Sequence, residues 1–143
     1  MNVATILKAK GRSVATARPD VTLQDIANRL AARKIGAIVI VGAGGRVEGI
    51  ISERDIIRVV AEQGPGALAL PVADVMTRDV VTCSETDTLD HVMSTMTAGR
   101  FRHLPVVVDE ALVGLVSIGD VVKHHIAEVE MEASALKTYL VAG

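Results

Sequence analysis

Ser52 and Asp55 stand three residues apart where the apolar run Gly49-Ile50-Ile51 gives way to Glu53-Arg54 and then to Ile56-Ile57. Ser117 and Asp120 stand the same way after Gly114-Leu115-Val116 and before Val121-Val122. An apolar strand that delivers a hydroxyl and a carboxylate to the start of a helix can do two things. It can cap the helix, the serine oxygen accepting an orphan amide and the acid lying favourably in the helix dipole. It can also hold a sugar and a phosphate: the carboxylate accepts two adjacent hydroxyls, and the helix N-terminus attracts the anion. The two uses are compatible, and the residues alone favour the cap.

Other chemistry-bearing residues are poorly arranged. His124 and His125 are neighbours on a predicted helix and point in different directions, so they make a poor metal pair and no metal site is expected. Cys83 has no base near it in sequence and reads as a small buried apolar residue. Lys8, Lys10 and Arg12 read as solvated cations that could at most reach a phosphate. No base–nucleophile–orienter set, metal box or glycine-rich phosphate loop is present, which argues against an enzyme and against a catalytic cofactor.

The elements that position Ser52 and Asp55 recur with them. Thr22-Leu23 through Val41 aligns without a gap onto Thr88-Leu89 through Val107, and one residue lost in the next turn brings Gly49 onto Gly114. Upstream, Val3-Ala4-Thr5-Ile6-Leu7 resembles Val72-Ala73-Asp74-Val75-Met76, each a helical turn ahead of a strand predicted over Ser13–Ala17 or Val80–Cys83. Leu23, Ile26, Ala27, Leu30 and Ala31 share one helical face, as do Leu89, Val92, Met93 and Met96, with Thr22 and Thr88 as N-caps. The β-branched runs Ala37–Val41, Val47–Ile51, Leu104–Val108 and Leu112–Val116 read as strands. The order in both halves is helix, strand, helix, strand, strand, helix. Glu62-Gln63-Gly64-Pro65-Gly66 is a helix stop and linker. The expected organisation is a first repeat over 1–65, a second over 66–126 and a helical extension over 127–143, with the repeats packed face to face into one continuous core. Ile126, Val129, Ala133, Leu136 and Leu140 give that extension an apolar stripe, which either packs on its own module or forms a dimer contact.

Composition narrows the partners. Half of the 143 residues are hydrophobic and only 1% aromatic, so the core is aliphatic and no platform of rings exists for stacking single-stranded nucleic acid. Fifteen basic residues against 17 acidic ones leave no excess of positive charge to drive binding to nucleic acid or a membrane surface. A single cysteine, no continuous apolar stretch of signal-peptide type and no run of transmembrane length lead us to expect a cytoplasmic protein.

The doubled Gly-x-x-Ser-x-x-Asp ending, together with Arg102-His103-Leu104-Pro105-Val106-Val107, resembles a tandem pair of CBS domains, the regulatory module named after cystathionine β-synthase. Ser52-Glu53-Arg54-Asp55 and the tail from Glu132 to Gly143 are further similar to stand-alone bacterial members. The resemblance implies an α/β (α+β) fold of two pseudo-symmetric repeats, each a small sheet with helices packed on one side. It also implies an adenine nucleotide, AMP, ATP or NAD, held between the repeats, with the motif aspartate on the ribose and the motif hydroxyl near phosphate. By the family's arrangement, Ser52, Arg54 and Asp55 face Val80 to Thr82 with Arg102, His103 and Leu104. Ser117 and Asp120 face Val14 to Thr16 with Gly36 and Ala37. The first cleft gathers Arg54, Arg102 and His103, whereas the second has Gly119 in place of Arg54. Charge-assisted hydrogen bonds are worth about 1.5–3 kcal/mol each, so the first cleft is expected to hold an anionic nucleotide more tightly. The implied function is a non-catalytic nucleotide sensor, a homodimer acting on an unidentified regulated protein. The competing reading is a constitutive interaction module that works through its C-terminal helix and dimer interface.

Overall fold

The computed structural model describes residues 1–142, and Gly143, the last residue of the expected extension, lies outside them. The chain opens with α1 (Val3–Lys10), capped by a reciprocal pair of hydrogen bonds between Asn2 and Thr5. The first sheet joins β1 (Thr16–Ala17), β2 (Ala37–Val41) and β3 (Val47–Ser52) in that order, β1 parallel and β3 antiparallel to β2. Helix α2 (Leu23–Arg33) connects β1 to β2, and α3 (Glu53–Gln63) follows β3. The second half repeats the plan with α4 (Leu89–Gly99), β4 (His103–Val108), β5 (Ala111–Ser117) and α5 (Ile118–Ala142). This mixed α+β architecture is the one the family resemblance implies.

Local chemistry matches between the halves. Thr22 Oγ1 accepts from the Asp25 amide at 3.2 Å and Thr88 Oγ1 from the His91 amide at 3.1 Å, so both predicted N-caps are formed. Helices α2 and α4 both end on a non-glycine residue in the left-handed region, Lys34 at φ 53° and Arg100 at φ 56°. The register slips at Ile40/Val41 in the first hairpin and at Val106/Val107 in the second, which are aligned positions. Gly64, at φ 83°, stops α3, as the linker sequence predicts.

Two expectations are corrected. The strands predicted over Ser13–Ala17 and Val80–Cys83 are mostly irregular: the first shrinks to Thr16–Ala17, and the second to a single bridge between Cys83 and Val106. Pro105 sits on β4 beside that bridge; its carbonyl accepts from the Cys83 amide, but it has no amide of its own to give. The expected continuous core is instead two apolar clusters, and they exchange their leading elements. Val3, Ile6 and Leu7 of α1 are buried with Leu89, Val92, Leu104 and Val116 of the second repeat. Val72 and Met76, the residues aligned with Val3 and Leu7, are buried with Leu23, Ile26, Ile38 and Ile51 of the first.

This exchange explains the glycine of each Gly-x-x-Ser motif. A Cβ on Gly49 would lie 2.4 Å from Met76 Sδ, and one on Gly114 would lie 2.6 Å from Leu7 Cδ2. Each β-strand therefore leaves room at its glycine for the side chain lent by the other half.

Candidate functional site

Ser52 ends β3 and is the N-cap of α3, so the strand and the helix together fix its hydroxyl and the Asp55 carboxylate. Asp55 Oδ2 accepts from the Ser52 amide at 2.9 Å and the Asp55 amide donates to Ser52 Oγ at 3.4 Å, a capping box, while Ser52 Oγ donates to Oδ2 at 3.0 Å. Its other oxygen, Oδ1, accepts from Arg58 Nη2 at 3.0 Å, across a side chain that is itself 61% exposed. The capping role is thus real, and it occupies one carboxylate oxygen. The second oxygen is held only by a surface arginine, a pairing worth about 0.2–1 kcal/mol that a ligand hydroxyl can displace.

These residues open onto a cavity of about 340 Å³ between the two repeats. Its first-repeat wall includes Gly36, Ile50, Ser52, Arg54, Asp55 and Arg58, and its second-repeat wall includes Thr77, Asp79, Val80, Arg100, Phe101, Arg102 and His103. The cavity therefore brings together Ser52, Arg54, Asp55, Val80, Arg102 and His103, all expected in the first cleft. Thr82 is exposed outside its lining, and Leu104, fully buried, belongs to the core of the second repeat. Gly36, expected in the second cleft, lines the first; a Cβ there would meet the His103 ring at 3.3 Å.

Four guanidinium groups, of Arg54, Arg58, Arg100 and Arg102, line this cavity against the carboxylates of Glu53, Asp55 and Asp79. Arg58 and Arg100 were not anticipated from sequence. Arg58 was legible as the residue three beyond Asp55 on the same helix face. Arg100 carried no such signal; it is the C-cap of α4, in the left-handed region at φ 56°. Burial pushes the His103 imidazole below its ordinary range, and Lys10 and Arg102 press the same way, while Glu53 and Asp120 oppose them. His103 is thus a neutral donor–acceptor lining the cleft near pH 7.

The duplicated Ser117 and Asp120 are built alike but face a different neighbour. Asp120 Oδ2 accepts from the Ser117 amide at 2.9 Å, and the Asp120 amide donates to Ser117 Oγ at 3.2 Å. The same Oδ2 accepts from Lys10 Nζ at 2.6 Å. Burial raises the Asp120 carboxyl, but the hydrogen bonds from Lys10 and Ser117 and the ammonium charge outweigh it and hold the group below the usual carboxylate range. Thr16 is exposed and Ala37 is almost fully buried. None of Thr16, Ala37, Ser117 and Asp120 lines the cavity at Asp55 or the apolar groove of about 510 Å³ between α2 and α3.

Among the described residues, no group of three or more His, Cys, Asp and Glu gathers to hold a metal, and no helix is long and apolar enough to cross a membrane. Cys83 is buried; burial, with the Asp87 charge, pushes its thiol up to about 12 and leaves it unreactive.

The family model for the CBS domain matches residues 10–62 and again 72–126. A mitochondrial CBS domain-containing protein of Arabidopsis thaliana is 32% identical over 99% of this chain, which spans 72% of that relative's length. Archaeal relatives from Acidianus ambivalens and Methanopyrus kandleri are each spanned over 63% of their length. Among solved structures, a CBS-domain containing protein from Agrobacterium tumefaciens is 48% identical, with a TM-score of 0.83 over 85% of this chain and 91% of that one. The CBS domain pair of protein MJ0100, solved in complex with 5'-methylthioadenosine and S-adenosyl-L-methionine, is 27% identical, with a TM-score of 0.79 over 90% of this chain and 98% of that one.

Proposed function

Because the chain belongs to the CBS-domain family, with its domain present twice in tandem, we propose that it is a regulatory module without catalytic activity that binds AMP, ATP or NAD in the cleft at Asp55. One observation carries this reading: Asp55 and four arginines, drawn from both repeats, line a single cavity. Its volume of about 340 Å³ lies in the ~300–1,000 Å³ range of small-molecule sites. In this reading Asp55 Oδ1 exchanges Arg58 for the ribose hydroxyls, and Arg58 turns with Arg54, Arg100 and Arg102 towards the phosphates. The α3 N-terminus adds its dipole to the same anion. Val80 and Ile50 supply the apolar wall against the base. The pair of MJ0100, bound to two adenosine-containing ligands, supports this ligand class.

Occupancy would be transmitted because the cleft walls come from both halves, so a ligand that bridges them favours one relative arrangement over another. The module is proposed to act as a cytoplasmic homodimer on a regulated protein. A second reading, a constitutive interaction module, is favoured by α5, in which every residue from Val129 to Ala142 is exposed, among them Leu136, Tyr139 and Leu140.

Thermal unfolding with AMP, ATP and NAD tests the sensor. Ligand at a hundred times its dissociation constant adds about 2.7 kcal/mol of stability. No shift with any of the three refutes nucleotide sensing and leaves the interaction module.

A further inference from the structure

The two aspartates of the duplicated motif differ in what faces them, and the cause lies in the segment after each exchanged element. In the second repeat that segment is a short non-helical connection. Thr77 pairs with Ile50, each amide donating to the other's carbonyl at 3.0 Å, and Thr77, Asp79 and Val80 then line the first cleft. In the first repeat the same stretch is three residues longer: ten steps separate Leu7 from Ala17, against seven from Met76 to Cys83. The added length continues α1 as a helix to Lys10. Leu115, the counterpart of Ile50, consequently has no Thr77-like strand partner among the described residues. Its carbonyl accepts instead from Lys10 Nζ at 3.0 Å, and the same ammonium reaches Asp120 at 2.6 Å. Counted from the exchanged residues, the position aligned with Lys10 is Asp79, of opposite charge, and among the described residues no cation pairs with Asp55 from across the first cleft.

We infer that Lys10 is a built-in occupant of the second cleft, its ammonium taking the place on Asp120 that a ribose diol takes on Asp55, so that any ligand entering there must first displace it. The inference rests on the nucleotide reading above and deepens it, because it ranks the two duplicated sites by a named side chain. The lock is tied at two points, a carboxylate and a main-chain carbonyl, and sits at the end of a helix anchored by the fully buried Val3 and Ile6. Displacing Lys10 therefore reports to α1, which belongs to the core of the second repeat. Gly119, standing where the first site has Arg54, gives the second site no compensating guanidinium.

The test weakens the first cleft by D55A and uses adenosine, which carries the diol but no phosphate for an ammonium to pair with. Calorimetry should show D55A/K10M binding adenosine several-fold tighter than D55A, as expected when a partly exposed ion pair no longer has to be broken. Adding D120A should abolish that gain. Equal or weaker affinity in D55A/K10M, with a circular-dichroism spectrum like that of D55A, overturns the inference; weaker affinity would make Lys10 a ligand-binding residue. If the unmodified chain binds neither AMP nor adenosine, the nucleotide reading itself falls, an outcome separate from an unmodified chain that binds while K10M changes nothing.

Discussion

Asp55 serves both stability and the proposed binding, and the two contributions can be separated by substitution. In D55A the Ser52 amide loses its acceptor at 2.9 Å and α3 loses half of its capping box. A lost cap costs about 0.5–2 kcal/mol, and the broken pair with exposed Arg58 adds about 0.2–1 kcal/mol. Near 150 residues, 1 kcal/mol corresponds to ~2–4 °C in Tm, so the ligand-free variant should melt several degrees lower. D55N keeps an oxygen for the Ser52 amide and should lose only a fraction of this. Binding separates the substitutions differently. A charge-assisted contact worth about 1.5–3 kcal/mol implies roughly tenfold to hundredfold weaker AMP binding in D55A. With AMP fixed at a hundred times the wild-type dissociation constant, ligand stabilisation falls from about 2.7 kcal/mol to about 1.4 for tenfold weakening, or about 0.4 for hundredfold. D55N should lie close to D55A in this second measurement, since an amide cannot offer two anionic acceptors. The assay is paired melting curves and calorimetry on the three proteins. Wild-type AMP affinity in D55A would remove Asp55 from the site, whatever happened to the Tm.

Three further outcomes are expected. G114V forces a branched side chain against Leu7, only 2.6 Å from the new Cβ, and should cost about 1–3 kcal/mol; G114V/L7A should recover part of that loss, and additive destabilisation in a double-mutant cycle would refute the exchanged packing. Because His103 protonates less readily folded than unfolded, the unfolded chain binds the extra proton first. Its contribution to stability is present above the unfolded value near 6.5 and is lost as pH falls through the lowered folded value; H103Q should flatten the fall in Tm on that acid side, and an unchanged pH profile would refute the assignment. L136D/L140D, on a helix end exposed along its whole length, should abolish any self-association seen by light scattering while leaving the Tm near wild type, and an unchanged mass would count against this stripe as the interface.

The duplicated motif was legible because it is a matter of residue type and interval: Ser52, Asp55, Ser117 and Asp120 fall at strand-to-helix junctions, as their flanking apolar runs dictate. Thr22 and Thr88 were legible for the same local reason. The exchange of α1 was not, because the spacing of Val3, Ile6 and Leu7 reveals an apolar face but not which sheet covers it. The irregular stretch before Cys83 misread as strand because Val80 and Val81 favour extended backbone without specifying a partner. Lys10 and Arg100 lay beyond inference for another reason. The first is carried to Asp120 by the extra length of a helix, and the second lines the cleft from a helix C-cap, where the apolar spacing of α4 gives no indication of it.

The mutual loan of Val3–Leu7 and Val72–Met76 makes the chain a handclasp. Cut at residue 65, each fragment would keep the wedge its former companion requires and leave a trench open along its own sheet. Neither would have reason to stand alone, yet the two would retain complementary surfaces for finding one another again. Such an interlock also fits an origin in which one short ancestral segment met a copy of itself before a connecting peptide joined them.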